Sequence, residues 1–148
     1  MKDYKTIVVP VDGSENSKRA VEHAVTIAST VGASLMLVYV ANIVSVISNF
    51  DQIPNASGYV TEQVALDMEE EGKKILNEVT KDIPDTLSVK EAFEVGSPGP
   101  AILSVAKKNN ADLIVMGSRG LGPLKGLFMG SVSSFVVTHA ACPVMIVK

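Results

Sequence analysis

The chain has 148 residues, of which 47% are hydrophobic and 20% charged, with a formal net charge of −3. That length predicts one domain over residues 1–148, long enough to bury roughly 70% of the surface its unfolded chain exposes, and the composition excludes a disordered chain. The lack of a basic excess argues against a sequence-independent grip on nucleic acid, and no apolar run approaches the roughly 20 residues of a membrane span.

Met1 to Lys5 leads straight towards a strand with no targeting segment, so a cytoplasmic location is expected. Lys5 to Val11 is rich in β-branched residues and ends at Asp12-Gly13-Ser14. Ala20, Val21, Ala24, Ile27, Ala28 and Val31 then recur at three- and four-residue spacing, the period of a helix with one buried face. Asn16 or Ser17 can cap this helix and Gly32 can end it. Ser34 to Val40 predicts a second buried strand, which makes the connection a right-handed parallel crossover.

From Ala41 to Gly58 no period survives, although Ile43, Val44, Val46, Ile47, Phe50 and Ile53 are apolar. Such a connection is either a lid over a site or a patch covered by another subunit. The second helix is predicted from about Tyr59 to Lys81, with Val64, Met68, Ile75 and Val79 inward. Glu69 with Lys73 and Glu70 with Lys74 stand four apart on its solvated face.

Leu87 to Val95 predicts strand three, and Ser97 followed by Pro98 predicts the cap and first turn of a helix to about Lys108, burying Ala101, Ile102, Val105 and Ala106. Strand four is expected at Asp112 to Met116, helix four at Ser131 to Ala140 and strand five at Val144 to Val147. Strict alternation of strand and helix specifies an α/β fold, an open, parallel, doubly wound five-stranded sheet. Cys142 has no His or Cys neighbour at metal spacing and reads as a small buried hydrophobe. His139, near a helix end, reads as structural, and His23 has no catalytic partner on its helix.

Chemistry concentrates where strand four meets helix four. Met116-Gly117-Ser118-Arg119-Gly120 is followed by Gly130-Ser131 at the helix start. Glycine lets backbone N–H groups approach an anion, and a helix N-terminus offers unpaired N–H groups and a positive dipole end. This arrangement suits phosphate, with Arg119 and Lys125 as the available cations. It lacks the Gly-Lys-Ser/Thr ending of the common phosphate loop and the three close glycines of the dinucleotide fingerprint.

Gly117, Gly120, Gly130 and Ser131 form a Gly-x2-Gly-x9-Gly-Ser pattern that resembles the nucleotide-binding signature of the ATP-binding branch of the universal stress protein family. The likeness extends to Val8 through Ser14 and to Cys142 through Val147, and is weakest between Ala41 and Ile83. It implies a Rossmann-like sheet of strand order 3-2-1-4-5, in which Asp12 and Gly117 end adjacent strands and face one crevice. A carboxylate there suits ribose hydroxyls and not phosphate, because like charges repel. The resemblance further implies that Pro10, Val11 and Val40 border an adenine, Val40 through its backbone. Gly117, Arg119, Gly120, Gly130, Ser131, Val132 and Ser133 would then surround the phosphates, through N–H groups and the Ser131 and Ser133 hydroxyls, and Met116 completes the nucleotide-binding set.

Taken singly, each signal has a plainer explanation: Asp12 can merely turn the chain before helix one, and Gly130-Ser131 can be an ordinary helix start. Their joint spacing carries the reading. The expected ligand is ATP, with Mg or Mn as an accompanying metal, and the expected role is nucleotide-dependent stress response or regulation without an evident catalytic apparatus. The alternatives are a slow ATPase or nucleotide hydrolase using a metal held by the phosphates and Asp12, and a nucleotide-free interaction module. Val144-Met145-Ile146-Val147 carries no charge and would lie at a sheet edge, which predicts a homodimer built on it.

Overall fold

Four short apolar runs and one alternating, partly charged segment become strands, and the amphipathic segments between them become helices. The structure, a computed structural model, describes residues 2–42, 58–119 and 129–148. The element order is β1 (Thr6–Pro10), α1 (Glu15–Val31), β2 (Ser34–Ala41), α2 (Gly58–Lys81), β3 (Val89–Val95), α3 (Pro98–Lys108), β4 (Leu113–Gly117), α4 (Ser131–His139) and β5 (Val144–Val147). The apolar connection predicted after Ala41 lies, at residues 43–57, outside the described residues.

The strands are ordered β3-β2-β1-β4-β5 and every neighbouring pair is parallel. The expected doubly wound sheet and its order are therefore present. Side chains alternate across it. Ile7, Val9, Leu35, Leu37, Leu113 and Val115 pack on one face with Ala20, Ala24 and Ala28 of α1 and Leu76 of α2. Val8, Met36, Val38, Ile114 and Met116 pack on the other with Ile102 and Val105 of α3 and Val136 of α4. Each wholly buried Val, Leu or Ile contributes about 1.5–3 kcal/mol relative to exposure, so the central strands dominate the stability.

Local chemistry moves some boundaries. The cap of α1 is Ser14, not Asn16 or Ser17, because Gly13 takes φ 83° and leaves Ser14 extended at φ −73°, where its Oγ accepts from Ser17 N–H at 3.2 Å. Gly32 ends α1 at φ 73°, as expected. Val31, predicted inward, is 47% exposed, since it falls in the last turn beyond the sheet-facing stripe. Ser97 occupies the cap position of α3 but makes no side-chain cap bond, and Ala101 is only half-buried. The two charge pairs on α2 form, Lys73–Glu69 at 3.1 Å and Lys74–Glu70 at 3.3 Å.

Asp112 was expected to open strand four, yet it precedes β4 and serves the neighbouring strand. Its Oδ2 accepts from Lys5 N–H at 2.9 Å and Thr6 N–H at 3.1 Å, fixing the start of β1. The two sheet edges differ. β3 carries Lys90, Glu91 and Glu94, while β5 is uncharged along its length.

Candidate functional site

Strand order reverses between β1 and β4, which opens a crevice beyond their carboxyl ends. Pro10, Val11 and Asp12 leave β1 on one side of it, and Met116, Gly117, Ser118 and Arg119 leave β4 on the other. The β1–β4 register pairs Ile7 with Leu113 and Val8 with Ile114, so the two exits are neighbours. Gly120 and Lys125 lie outside the described residues.

Asp12 is half-buried, and its Oδ1 accepts from Ser14 N–H at 2.9 Å. One carboxylate oxygen therefore does form the turn into α1. Towards α2, Asp12 borders a shallow groove shared with Glu71, Glu78, Asp82 and Lys18. Lys18 reaches Glu15 at 3.4 Å, so the groove is acidic and unfit for phosphate. Tyr39 lies nearby with 8% exposure, its ring stacked on Phe93 at 5.7 Å and closely approached by Gly72. Burial raises the Tyr39 phenol above its ordinary range, and the carboxylates of Glu71 and Asp12 add to the effect.

Pro10 and Val40 are half-buried, whereas Val11 is 3% exposed with its side chain in the core under α1. Val11 thus offers the crevice backbone only. Its N–H donates to the Val38 carbonyl at 2.8 Å, and the β1–β2 register stops at Pro10 opposite Val38. Alternate residues in a parallel ladder turn their backbone groups to the same neighbour, so Val40, two beyond Val38, points its N–H and carbonyl to the side where β1 has already ended. The Ala41 carbonyl faces the other way, accepting from Gly96 N–H at 3.0 Å.

Gly117 packs against the first turn of α1. A Cβ placed on it would lie 2.8 Å from Asn16 Cβ and 3.0 Å from the Asn16 carbonyl carbon. Glycine here is required by close helix–strand approach. Met116 is 5% exposed with its side chain in the core on the α4 side, so it too offers backbone alone, while Arg119 is exposed.

Ser118 was absent from the sequence-predicted set, yet its backbone is the junction of the site. Its N–H donates to the Val147 carbonyl at 2.8 Å, and its own carbonyl accepts from Gly130 N–H at 2.7 Å and from the Ser133 hydroxyl at 2.7 Å. No sequence signal marks it, since the bonds are made by main-chain atoms. Two expectations change as a result. Ser133, expected to turn its hydroxyl to phosphate, is 2% exposed and has its one hydroxyl proton committed to the carbonyls of Ser118 and Gly130, the latter at 3.1 Å. The Gly130 N–H, expected to face an anion, is bonded to Ser118 instead.

Gly130 has φ −75° and ψ 168°, an extended conformation open to any residue, so no unusual backbone angle demands glycine there. It has no side chain with which to cap α4, and the first-turn N–H groups of Ser131, Val132 and Ser133 have no intrahelical partners. Ser131 is exposed and Val132 half-buried. At the far end of α4, His139 Nδ1 lies 2.9 Å from the Phe135 carbonyl and its ring stacks on Phe135 at 4.2 Å. Among the described residues no three His, Cys, Asp or Glu side chains gather as a metal-binding group, and no helix is long and apolar enough to cross a membrane.

Residues 3–148 match a family model described as the universal stress protein family. Universal stress protein MJ0531 of Methanocaldococcus jannaschii is 37% identical over 147 residues, covering 98% of this chain and 82% of that protein. The solved structure of hypothetical protein MJ0577 of the same organism aligns with a TM-score of 0.85 at 27% identity, over 99% of this chain and 97% of that one. A universal stress protein solved in complex with cAMP aligns with a TM-score of 0.63 at 27% identity, over 99% of this chain and 98% of that one.

Proposed function

The chain belongs to the universal stress protein family, and from that premise we propose that it binds ATP in the β1–β4 crevice and acts as a stress-response protein whose nucleotide occupancy sets the conformation its partners meet. The observation that carries this reading is the uncapped N-terminus of α4, which follows Gly130 against Ser118 and Arg119 at the exit of β4, the strand beside β1. Free N–H groups and the positive dipole end of a helix suit an anion, and Asp12, at the exit of the neighbouring strand, suits a sugar.

In this assignment Pro10 and the backbones of Val11 and Val40 border the adenine, and the uncommitted oxygen of Asp12 accepts from ribose. Gly117, Arg119, Gly120, Ser131 and Val132 follow the phosphates, with Met116 contributing backbone. A metal, Mg or Mn, would be held chiefly by the phosphates, since no group of protein ligands stands ready among the described residues. The binding of cAMP by a 27% identical relative of the same fold supports an adenine nucleotide as the ligand class.

The uncharged edge of β5 supports a homodimer through Val144 to Val147. The test of the function is mass spectrometry of ligand released from gently purified and then denatured protein, followed by calorimetric titration. Adenine nucleotide and saturable ATP binding are expected; a protein that neither carries nor binds it removes the reading. Multiple-turnover phosphate release would instead favour a slow hydrolase.

A further inference from the structure

The Ser118 carbonyl accepts two donors from the start of α4, the Gly130 N–H at 2.7 Å and the Ser133 hydroxyl at 2.7 Å. Ser118 is 4% exposed and Ser133 2% exposed, so both bonds are shielded from water. The Ser118 N–H is held in turn by the Val147 carbonyl at 2.8 Å. These contacts fix both ends of the segment between Ser118 and Gly130 without any ligand. They also fix the direction in which the first-turn N–H groups of α4 point.

We propose that Ser133 is a positioning residue for the phosphate part of the ligand, acting through Ser118 and Gly130 and never touching the phosphates with its hydroxyl. This rests on the nucleotide reading above and deepens it: the part of the site that meets phosphate is set before the nucleotide arrives, whereas the part that meets the nucleoside, at Pro10, Asp12 and Val40, does not depend on this contact. A hydroxyl has one proton, and here it is spent inside the protein. Ser133 therefore differs from a purely structural residue in separating the two ligand fragments, and from a residue touching the phosphates in governing Gly130 exchange before any ligand is present. Its removal loosens the junction of Ser118 with Gly130, lowers affinity for ATP and leaves affinity for adenosine as it was.

The experiment compares wild type, Ser133→Ala and Ser133→Thr, using amide hydrogen exchange without ligand and calorimetric titration with ATP and with adenosine. Ser133→Ala is expected to speed exchange of the Gly130 amide and weaken ATP binding by about tenfold, the fold-change of one net hydrogen bond, with adenosine binding unchanged. Ser133→Thr keeps the hydroxyl and is expected to restore both. Should Ser133→Ala fail to fold, Ser133→Cys, of similar size and with a weak donor, is expected to show the same selective loss. Unchanged Gly130 exchange would overturn the proposal, because it denies that Ser133 holds the Ser118–Gly130 junction. So would ATP binding that is unchanged or that falls in step with adenosine binding, and so would failure of Thr to restore either. A wild-type protein that bound neither ligand would sink the nucleotide reading itself, a result distinct from these because it precedes any variant.

Discussion

Gly117 and Asn16 approach so closely that a Cβ on the glycine would sit 2.8 Å from the Asn16 Cβ and 3.0 Å from its carbonyl carbon. The obstacle is partly backbone of α1, which cannot swing aside as a flexible side chain would. Gly117→Ala is expected to destabilise the fold by about 1–3 kcal/mol, the usual range for overpacking, seen as a lower urea midpoint with an unchanged slope. Gly130→Val is expected to behave oppositely. The nearest atom to a Cβ there is the Ser118 carbonyl oxygen at 3.4 Å, an ordinary contact, so the protein should fold while the added methyl groups obstruct the phosphates. Unchanged ATP affinity in folded Gly130→Val would remove this residue from the site.

Asp12→Ala is expected to weaken ATP binding by about 1–3 kcal/mol, the range of a hydrogen bond to a charged group. Since Asp12 Oδ1 also accepts from Ser14 N–H, the variant disturbs the turn into α1 as well. Titration with ATP and with a deoxyribose analogue separates the two effects. The loss should shrink for the analogue if Asp12 reads a ribose hydroxyl, and equal losses would assign the residue to the turn alone.

Acid stability is predicted to depend on Asp112. Backbone hydrogen bonds from Lys5, then Thr6, hold its carboxyl below the usual range, with a smaller contribution from Lys2 at 3.8 Å. A group whose pKa is depressed on folding binds its proton more readily in the unfolded chain. Its stabilisation is complete above the unfolded value of about 3.9 and is lost as pH falls through the lower, folded value. Asp112→Asn should therefore flatten the fall in unfolding free energy below about pH 5, measured by urea titration at several pH values. Parallel curves for variant and wild type would mean that other carboxylates govern acid unfolding.

The proposed homodimer is tested most cleanly at Met145, which is 39% exposed, whereas Ile146 packs against the core beneath α3 and α4. Met145→Lys is expected to yield a folded monomer by light scattering. Ile146→Lys should do the same but with a loss of stability that clouds its interpretation. A folded, dimeric Met145→Lys protein would move the interface away from this face of β5.

The order of elements was legible because β1, β2, β4 and β5 are continuous apolar runs, β3 alternates weakly between apolar and charged residues, and the helices have a stripe at helical spacing. Reading failed where geometry, not pattern, decides. Ser14 became the α1 cap because Gly13 adopts φ 83°, an angle no periodicity reports. That Asp12 and Gly117 stand at the exits of neighbouring strands needed strand order, which resemblance supplied and composition could not. Ser118 escaped notice because its N–H and carbonyl, not its side chain, organise the site. Ser133 was assigned to phosphate because its hydroxyl is the right chemical type, yet the sequence holds no sign that a carbonyl in the preceding strand exit already occupies it.

The bond from Gly130 N–H to the Ser118 carbonyl has a consequence for how this chain can diverge. Ser118 and Gly130 are held at one point of the scaffold, so a change in the number of residues that separate them in sequence is expected to leave the sheet and its helices in place. The entropy of closing a loop grows only with the logarithm of its length, about 0.6 kcal/mol for each doubling. Recognition can therefore be rewritten in this segment, in length as well as in sequence, at little expense to folding, provided that Ser118, Gly130 and Ser133 still close it.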